Sequence, residues 1–384
     1  MALQNKIRIA VLFGGMSPEH DVSVVSAQQV MDALDPRAYE ILPVYMDFEN
    51  RFFTDESYRN VRRFKPRPPL TRQVHFEWGE LGPYLSCSKK SQISIDCVLP
   101  VFHGKFGEDG TVQSYFNLKG IPCTGFLPDA SQAAMRKDWT KLIVSAVNVP
   151  VLPHEIVTRR EARLSQSWIQ RLKDAVGWPV IVKPVNLGSS IGVGAAHNEE
   201  ELIELVNFVL MKDRAAIIEP LVQNLVEYNV ALLNDNGTIR TSAIERPKSS
   251  AEVLDFKEKY LSSGGGKKGV LPSQGMLSLS RDINPRMPKH LRNQILDCAQ
   301  RAFLALGARG APRIDFLSNK KTGEIWFNEI NAIPGSYGFF LWENAKEKAY
   351  LFPELLTHLI NEALRSTVKK FDDPVPQDAW LLPR

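Results

Sequence analysis

The stretch PRIDFLSNKKTGEIWFNEIN, residues 312–331, predicts two adjoining β-strands joined by a polar, glycine-containing turn. Side chains alternate between the two faces of a strand. Arg313 and Asp315 therefore share a face of the first strand, and Glu329 and Asn331 share a face of the second. If the two strands pair, two carboxylates and an amide oxygen converge.

This set of side chains has the ligand chemistry of a magnesium site. Mg²⁺ prefers hard oxygen ligands and keeps its remaining positions for water and nucleotide phosphates. An exposed polar sheet face with salt bridges would give the same pattern. The hairpin alone leaves both interpretations open.

A second feature lies upstream, in VIVKPVNLGSSIGV, residues 180–193. Lys183 ends an apolar run that predicts a strand, and a turn rich in glycine and serine follows. Backbone N–H groups of such a turn can approach phosphate oxygens closely, and a nearby lysine supplies the opposite charge. Plain glycine–serine turns are common, so the motif is weak evidence when taken alone.

The amino-terminal part predicts alternating strands and helices. An apolar run over residues 7–13 ends in two glycines, helical spacing follows over residues 22–34, and residues 39–45 and 97–102 predict further strands. Residues 51–90 predict an irregular elaboration around a hairpin. The alternation predicts an open, doubly wound α/β sheet with ligands bound at the strand ends.

Two polar loops follow strands of this predicted sheet. FGGMSPEH brings Glu19 next to a glycine turn, and HGKFGEDG contains His103 and Glu108. Each loop is placed where open sheets bind ligands, and each also has an interpretation as a plain turn. Farther along, residues 129–149 predict one helix.

Composition narrows the class of protein. The length of 384 residues predicts about two to three domains, and 44% hydrophobic with 23% charged residues is typical of globular chains. The net charge of +4 is spread along the chain, which argues against a nucleic-acid-binding or membrane-surface protein. There is no apolar run long enough for a membrane span and no signal-peptide pattern. Four cysteines without a CxxC pair indicate free thiols in a reducing compartment, so we expect a cytoplasmic protein.

Taken together, these features resemble the D-alanine–D-alanine ligases of the ATP-grasp superfamily. The similarity covers residues 7–335 and rests on seven motifs in the family's order. They are FGGMSPEHDVS, LPVFHGKFGEDGTVQ, MRKDWTK, VIVKPVNLGSSIGV, DFKEKY, PRIDF and NEINAIPG.

The resemblance implies an α/β ATP-grasp fold with three parts. Residues 1–125 would form an amino-terminal, Rossmann-like domain with an open parallel sheet. Residues 126–215 would form the central ATP-grasp subdomain. Residues 216–384 would form the carboxy-terminal subdomain, which carries the metal and substrate site. ATP would be gripped between the last two.

The resemblance also assigns roles to individual residues. Those that would contact ATP are Lys137, Lys183, Glu219, Glu227 and Lys259. The metal ligands would be Asp315, Glu329 and Asn331. The residues that would hold the first amino acid, secure a loop over the site or stabilise the oxyanion are Glu19, Ser189, Tyr260, Arg313 and Gly335. The substrate pocket would include His103 and Glu108, with Ser336 and Tyr337 as further candidates.

The activity implied is the ATP-dependent joining of two amino acids, the first of them D-alanine. If both are D-alanine, the product serves peptidoglycan synthesis. The implied cofactor is Mg²⁺ or Mn²⁺, as two ions, with ATP as co-substrate. The implied partners are these small molecules, with no nucleic acid and no membrane, and a second copy of the chain in a homodimer.

One position departs from the family pattern. The family has a serine that binds the carboxylate of the second substrate, and the ungapped register places Phe340 there. Ser336 or Tyr337 could replace that hydroxyl, the register could shift, the acceptor could be larger and more apolar than D-alanine, or these aromatic residues could be core packing. Tyr260 favours an amine acceptor over a hydroxyl acceptor. The rival functions are a ligase of specialised metabolism with another acceptor, and a non-catalytic nucleotide-binding module.

Overall fold

The computed structural model describes residues 6–65, 67–88, 91–164, 167–188, 191–247 and 281–366. This part of the chain contains three β-sheets, of seven, four and six strands, with helices packed on them. No helix in these ranges is both long enough and apolar enough to cross a membrane.

The first sheet is parallel at its centre and antiparallel toward one edge. Its strands are β1 Ile7–Gly14, β2 Tyr39–Met46, β3 Phe52–Thr54, β4 Gln73–Gly79, β5 Gly82–Ser88, β6 Ser91–Ser94 and β7 Cys97–Pro100. The strand order is β6-β5-β4-β3-β2-β1-β7, and β1 pairs in parallel with both β2 and β7. Residues 51–90, expected to be an irregular elaboration around a hairpin, contain β3 and the hairpin of β4 and β5. With β6 directly after them, they add four antiparallel strands to an otherwise parallel sheet.

Strand β1 is buried on both faces, which explains its continuous apolar sequence. Ile9, Val11 and Phe13 pack into one core, and Ala10 and Leu12 pack into another. The helices that follow the strands of this sheet are α1 His20–Ala33 and α2 Thr111–Lys119.

The helix expected over residues 129–149 is divided in two. The helices are α3 Pro128–Met135 and α4 Lys137–Ala146, and Arg136 between them has extended backbone angles of φ −94° and ψ 103°. The break frees the backbone N–H of Lys137 from the preceding turn, and this group donates to the Val185 carbonyl at 3.1 Å. The interruption thus anchors the start of α4 to the loop after Lys183.

The second sheet is antiparallel, with the order β10-β9-β11-β8. Its strands are β8 Glu155–Thr158, β9 Val180–Pro184, β10 Gly194–Ala196 and β11 Ala215–Pro220, and its helices are α5 Arg159–Leu164, α6 Ser167–Ala175 and α7 Glu199–Lys212. The boundary expected between residues 215 and 216 falls at the beginning of β11, which pairs entirely within this sheet.

The third sheet shares its core with the first. Its strands are β12 Leu225–Asp235, β13 Thr238–Thr241, β14 Glu245–Pro247, β15 Arg281–Ile283, β16 Arg313–Asn319 and β17 Ile325–Asn331. Its helices are α8 Lys289–Ala305, α9 Phe339–Glu343 and α10 Phe352–Arg365. Phe303 of α8 and Trp342 of α9 belong to the same buried cluster as Ile9 of β1. This common core holds the loops of the two sheets close together.

A substitution at Gly14 tests the close packing of β1 against β2 in the first sheet. The φ of Gly14 is +95°, and a Cβ there would lie 2.5 Å from the Met46 carbonyl oxygen. We expect Gly14→Ala to lower the free energy of unfolding by about 2–5 kcal/mol, because left-handed strain and overpacking add together. Urea unfolding monitored by circular dichroism measures the change.

Gly237→Ala is the matched control for that variant. Gly237 has a φ of +92°, but nothing lies within 4 Å of the added Cβ. We therefore expect this control to lose only the conformational part, about 1–2 kcal/mol. Equal losses in the two variants would show that the contact with β2 does not matter.

Candidate active site

The site is centred on the hairpin of β16 and β17, which pair antiparallel as the sequence predicts. In their register, Asp315 lies opposite Glu329, and Arg313 lies opposite Asn331. A bulge follows Asp315, since Phe316 pairs with Phe327. The two carboxylates and the amide therefore come together at one end of the hairpin.

Arg313 binds Asp315 in a fork. The Nε and Nη2 atoms of Arg313 donate to Oδ1 and Oδ2 of Asp315, both at 2.7 Å, and Nδ2 of Asn331 donates to Oδ2 at 3.1 Å. Burial raises the pKa of Asp315 to about 6, while the charge of Arg313 opposes that rise. Burial disfavours the charged guanidinium, yet Asp315 outweighs it and raises the pKa of Arg313.

Two lysines approach the same hairpin, Lys137 from the start of α4 and Lys183 from β9 of the second sheet. Lys137 Nζ lies 3.2 Å from Glu329 Oε2 and donates to the Leu187 carbonyl at 2.8 Å. Lys183 Nζ donates to Asn328 Oδ1 at 2.9 Å. Burial would raise the pKa of Glu329, but Lys137 and Lys183 outweigh it and lower that pKa. The arrangement places positive charge next to the carboxylate cluster.

Glu219 is wholly buried between two lysines, Lys141 and Lys183. Its Oε1 is 2.6 Å from Lys141 Nζ and its Oε2 is 2.7 Å from Lys183 Nζ. Burial alone would raise the pKa of Glu219, and the two lysines instead bring it to about 2. Lys141 Nζ also lies 3.3 Å from the Phe327 carbonyl oxygen. Sequence reasoning missed Lys141, although it follows Lys137 by one helical turn and so shares its face.

The loops of the first sheet complete the site. Glu108 accepts hydrogen bonds from the backbone N–H groups of Gly104, at 2.7 Å, and Ile333, at 2.9 Å. Burial raises the pKa of Glu108 to about 8 in spite of these donors. A Cβ on Gly104 would lie 2.7 Å from Glu19 Oε2, so only glycine lets the Glu19 carboxylate pack so closely. Burial lowers the pKa of His103 to about 4, and its Nε2 lies 3.2 Å from Ser26 Oγ.

These elements enclose a cavity of about 420 Å³. The residues singled out in the sequence that line it are Glu19, His103, Glu108, Lys137, Glu227, Arg313, Asp315, Glu329, Asn331 and Gly335. Phe340 and Arg281 also line it, and sequence reasoning gave Arg281 no role. Ser189, Lys259 and Tyr260 lie outside the described residues.

The positions of Ser336 and Tyr337 differ from those expected of residues that bind substrate. Neither lines the cavity, and both are buried. The Ser336 hydroxyl donates to Gln29 Oε1, and the Tyr337 hydroxyl donates to the Pro100 carbonyl. Because both hydroxyls are used in tying α1 and β7 to this segment, they do not replace the serine that the family pattern has at Phe340.

The buried Glu219 cluster provides a stability test. We expect Glu219→Gln to lower the free energy of unfolding by about 3–5 kcal/mol, because two buried lysines lose their counter-charge. Urea unfolding at neutral pH measures this loss. The control is Glu199→Gln, which removes the exposed ion pair with Lys173 and should cost at most about 1 kcal/mol. Equal costs would contradict a structural role for the cluster.

The stability difference between the native chain and Glu219→Gln should also depend on pH. The pKa of Glu219 is lowered from 4.5 to about 2, so its stabilising charge is fully present above 4.5 and is lost as the pH falls toward 2. We therefore expect the difference in unfolding free energy between the native chain and Glu219→Gln to shrink over that interval. A constant difference would mean that the carboxylate charge is not what stabilises the cluster.

Comparisons with known proteins show the family of the chain. The family model described as "D-ala D-ala ligase N-terminus" matches residues 8–126, and that described as "D-ala D-ala ligase C-terminus" matches residues 143–361. The D-alanine–D-alanine ligase of Thermosipho melanesiensis is 31% identical over 363 residues, covering 93% of this chain and 94% of its own. That of Chloroherpeton thalassium is 31% identical over 372 residues, with 94% and 97% covered.

Solved structures give the same result. The D-alanine–D-alanine ligase from Coxiella burnetii superposes with a TM-score of 0.78 at 26% identity, covering 94% of this chain and 95% of its own. The VanG D-Ala:D-Ser ligase from Enterococcus faecalis superposes with a TM-score of 0.75 at 26% identity, covering 94% and 100%. The chain belongs to the D-alanine–D-alanine ligase family and has its ATP-grasp fold.

Proposed function

We propose that this protein is an ATP-dependent ligase that joins two D-alanine molecules into D-alanyl-D-alanine, for peptidoglycan synthesis. The supporting observation is the single cavity in which Glu19 from the first sheet meets Arg313 and the oxygen-bearing cluster from the third. A site that only held a nucleotide would have no need for a carboxylate on the opposite wall.

The first step is the activation of a carboxylate, which is a poor electrophile. A carboxylate oxygen of the first D-alanine attacks the γ-phosphorus of ATP, ADP leaves, and an acyl phosphate forms. Lys137 and Lys183, which lie beside Glu329 and Asn328, offset the charge on the phosphoryl group in this proposal. Glu19 holds the ammonium group of this first amino acid from the other side of the cavity.

The oxygen cluster fits a divalent ion. Asp315, Glu329 and Asn331 supply oxygen ligands at adjoining positions of two paired strands, as Mg²⁺ or Mn²⁺ prefers. Among the described residues, no group of three or more His, Cys, Asp and Glu forms a cage. The cluster therefore suits one or two ions that take phosphate and water oxygens as further ligands. Such ions would offset the negative charge of the transferring phosphoryl group.

The second step forms the peptide bond. The amino group of the second D-alanine attacks the acyl carbon, loses a proton and expels inorganic phosphate. Arg313 and Gly335 line the cavity, and the guanidinium of the first and the backbone N–H of the second would stabilise the oxyanion that develops on the acyl oxygen. Buried Asp315 fixes the guanidinium plane of Arg313 through the fork, so that group is oriented before the reaction.

A second candidate function is ligation of D-alanine to a different acceptor. It is favoured by Phe340, an aromatic side chain on the cavity wall where the family pattern has a serine. A solved relative with a similar chain is a D-Ala:D-Ser ligase, which supports variation of the acceptor on this scaffold. The homodimer and the cytoplasmic location stay predictions; analytical ultracentrifugation tests the former.

The test of the function is ADP release from ATP, Mg²⁺ and D-alanine, with mass spectrometry of the product. We expect stoichiometric ADP, phosphate and D-alanyl-D-alanine. ADP release that appears only when other D- or L-amino acids are added would move the proposal to the second candidate. No ADP with any amino acid would favour the nucleotide-binding module.

Glu329→Gln tests the metal assignment. We expect Mg²⁺-dependent ADP release to fall by at least about 100-fold, because a charged ligand is lost at the phosphoryl group. The unfolding midpoint should stay close to that of the native chain. Glu324→Gln, in the exposed turn of the same hairpin, is the control and should keep normal turnover. Normal turnover in Glu329→Gln would contradict the assignment.

A further inference from the structure

An amino acid that acts as acceptor brings a carboxylate into the cavity, and that anion needs a cation. Among the described residues, the cationic side chains on the cavity wall are Lys137, Arg281 and Arg313. Arg313 binds both oxygens of Asp315, and Lys137 lies against Glu329. These two cations are therefore already paired with the carboxylate cluster, and the proposed mechanism assigns them to the phosphoryl group and the oxyanion.

Arg281 makes fewer contacts with carboxylates than Arg313 does. It lies on the edge strand β15, and its Nη1 donates to Glu245 Oε1 at 2.8 Å. That is the one hydrogen bond that this guanidinium makes within the described residues, so none of these residues accepts from its other N–H groups. Glu245 in turn also accepts from Asn229 Nδ2 at 3.2 Å, which holds the carboxylate in place from its other oxygen.

The Phe340 ring packs against this guanidinium. The Cζ atom of Arg281 lies 4.5 Å from the centre of the Phe340 ring, within the range of a cation–π interaction. A guanidinium stacked on a ring keeps its N–H groups at the edge of the plane, where a carboxylate can accept two of them. The ring itself packs edge-on against the Phe339 ring, with the two ring centres 6.0 Å apart.

We propose that Arg281, stacked on Phe340, binds the carboxylate of the acceptor amino acid and determines the preference for acceptors that carry one. The inference rests on the proposed function and deepens it. In this proposal Phe340 does not donate a hydrogen bond, as the serine of the family pattern does. Its ring instead supports Arg281, which is a charged and therefore stronger donor. An acceptor without a carboxylate would leave Arg281 without its ligand.

A competition between two acceptors tests this role. D-Alaninamide has an amino group but no carboxylate, so it can only be an acceptor. With ATP, Mg²⁺ and equal concentrations of D-alanine and D-alaninamide, mass spectrometry gives the ratio of D-alanyl-D-alanine to D-alanyl-D-alaninamide. We expect Arg281→Gln to lower this ratio about 10- to 100-fold, since a charge-assisted bond to the carboxylate is lost. If another amino acid proves to be the acceptor, it and its amide replace this pair.

Three further variants separate recognition from structure. Arg281→Lys keeps the charge next to Glu245 but loses the fork, and its ratio should fall between those of the native chain and Arg281→Gln. Phe340→Leu removes the platform and should lower the ratio about 3- to 10-fold. Arg246→Gln is the matched control, because Arg246 lies on the neighbouring strand β14, pairs with Asp282 and does not line the cavity. Its ratio should not change.

The outcomes distinguish this inference from the proposed function. Peptide products whose ratio stays within twofold of the native value in both Arg281 variants would overturn the role of Arg281 and leave the ligase intact. If Arg281→Gln does not fold, Arg281→Lys decides. Absence of any peptide product from the native chain would contradict the proposed function and, with it, an acceptor role for Arg281.

Discussion

The site depends on the buried ion pairs of the Glu219 carboxylate with two lysines. The carboxylate is held by Lys141 from α4 and Lys183 from β9, and both lysines also reach β17, at the Phe327 carbonyl and the Asn328 side chain. Burying an ion costs several kcal/mol, so such a cluster persists only when every charge has its partner. Here the partners come from the second sheet, from α4 and from the third sheet. The cluster therefore fixes the positions of these elements, and with them Lys137, one helical turn before Lys141.

Glu108 has the corresponding role on the opposite side of the cavity. Its two oxygens accept from Gly104, in a loop of the first sheet, and from Ile333, just beyond β17. One side chain thus sets the separation between the loops that carry Glu19 and His103 and the segment that carries Asn331 and Gly335. Burial raises the pKa of Glu108 to about 8 although these two backbone donors oppose the shift. The cavity is shaped by paired polar groups at both of its walls, with the shared apolar core behind them.

Sequence reasoning succeeded where a local pattern determines the structure. The apolar run of β1, the helix α1 and the hairpin of β16 and β17 follow from periodicity and turn residues. The alternation of side chains along the two paired strands predicts that Asp315, Glu329 and Asn331 converge. It failed where long-range contacts decide. The helix break at Arg136 depends on the Val185 carbonyl, and the contact of Arg281 with Phe340 joins segments far apart in the chain. Neither of these contacts leaves a periodic signal in the sequence.

The segment after Gly335 has a strained turn that places some of its side chains in the core and others at the cavity wall. Ser336 and Tyr337 have φ values of 47° and 56°, which cost about 1–2 kcal/mol each for residues other than glycine. The burial of Tyr337, which is 1% exposed, and its bond to the Pro100 carbonyl offset this cost. The tight turn directs both of these side chains into the core and begins α9 immediately afterwards, so that Phe340 comes to the cavity wall. The two hydroxyls next to Gly335 are thereby used in the fold, and under the proposed function the acceptor would be recognised by residues that the turn leaves facing the cavity.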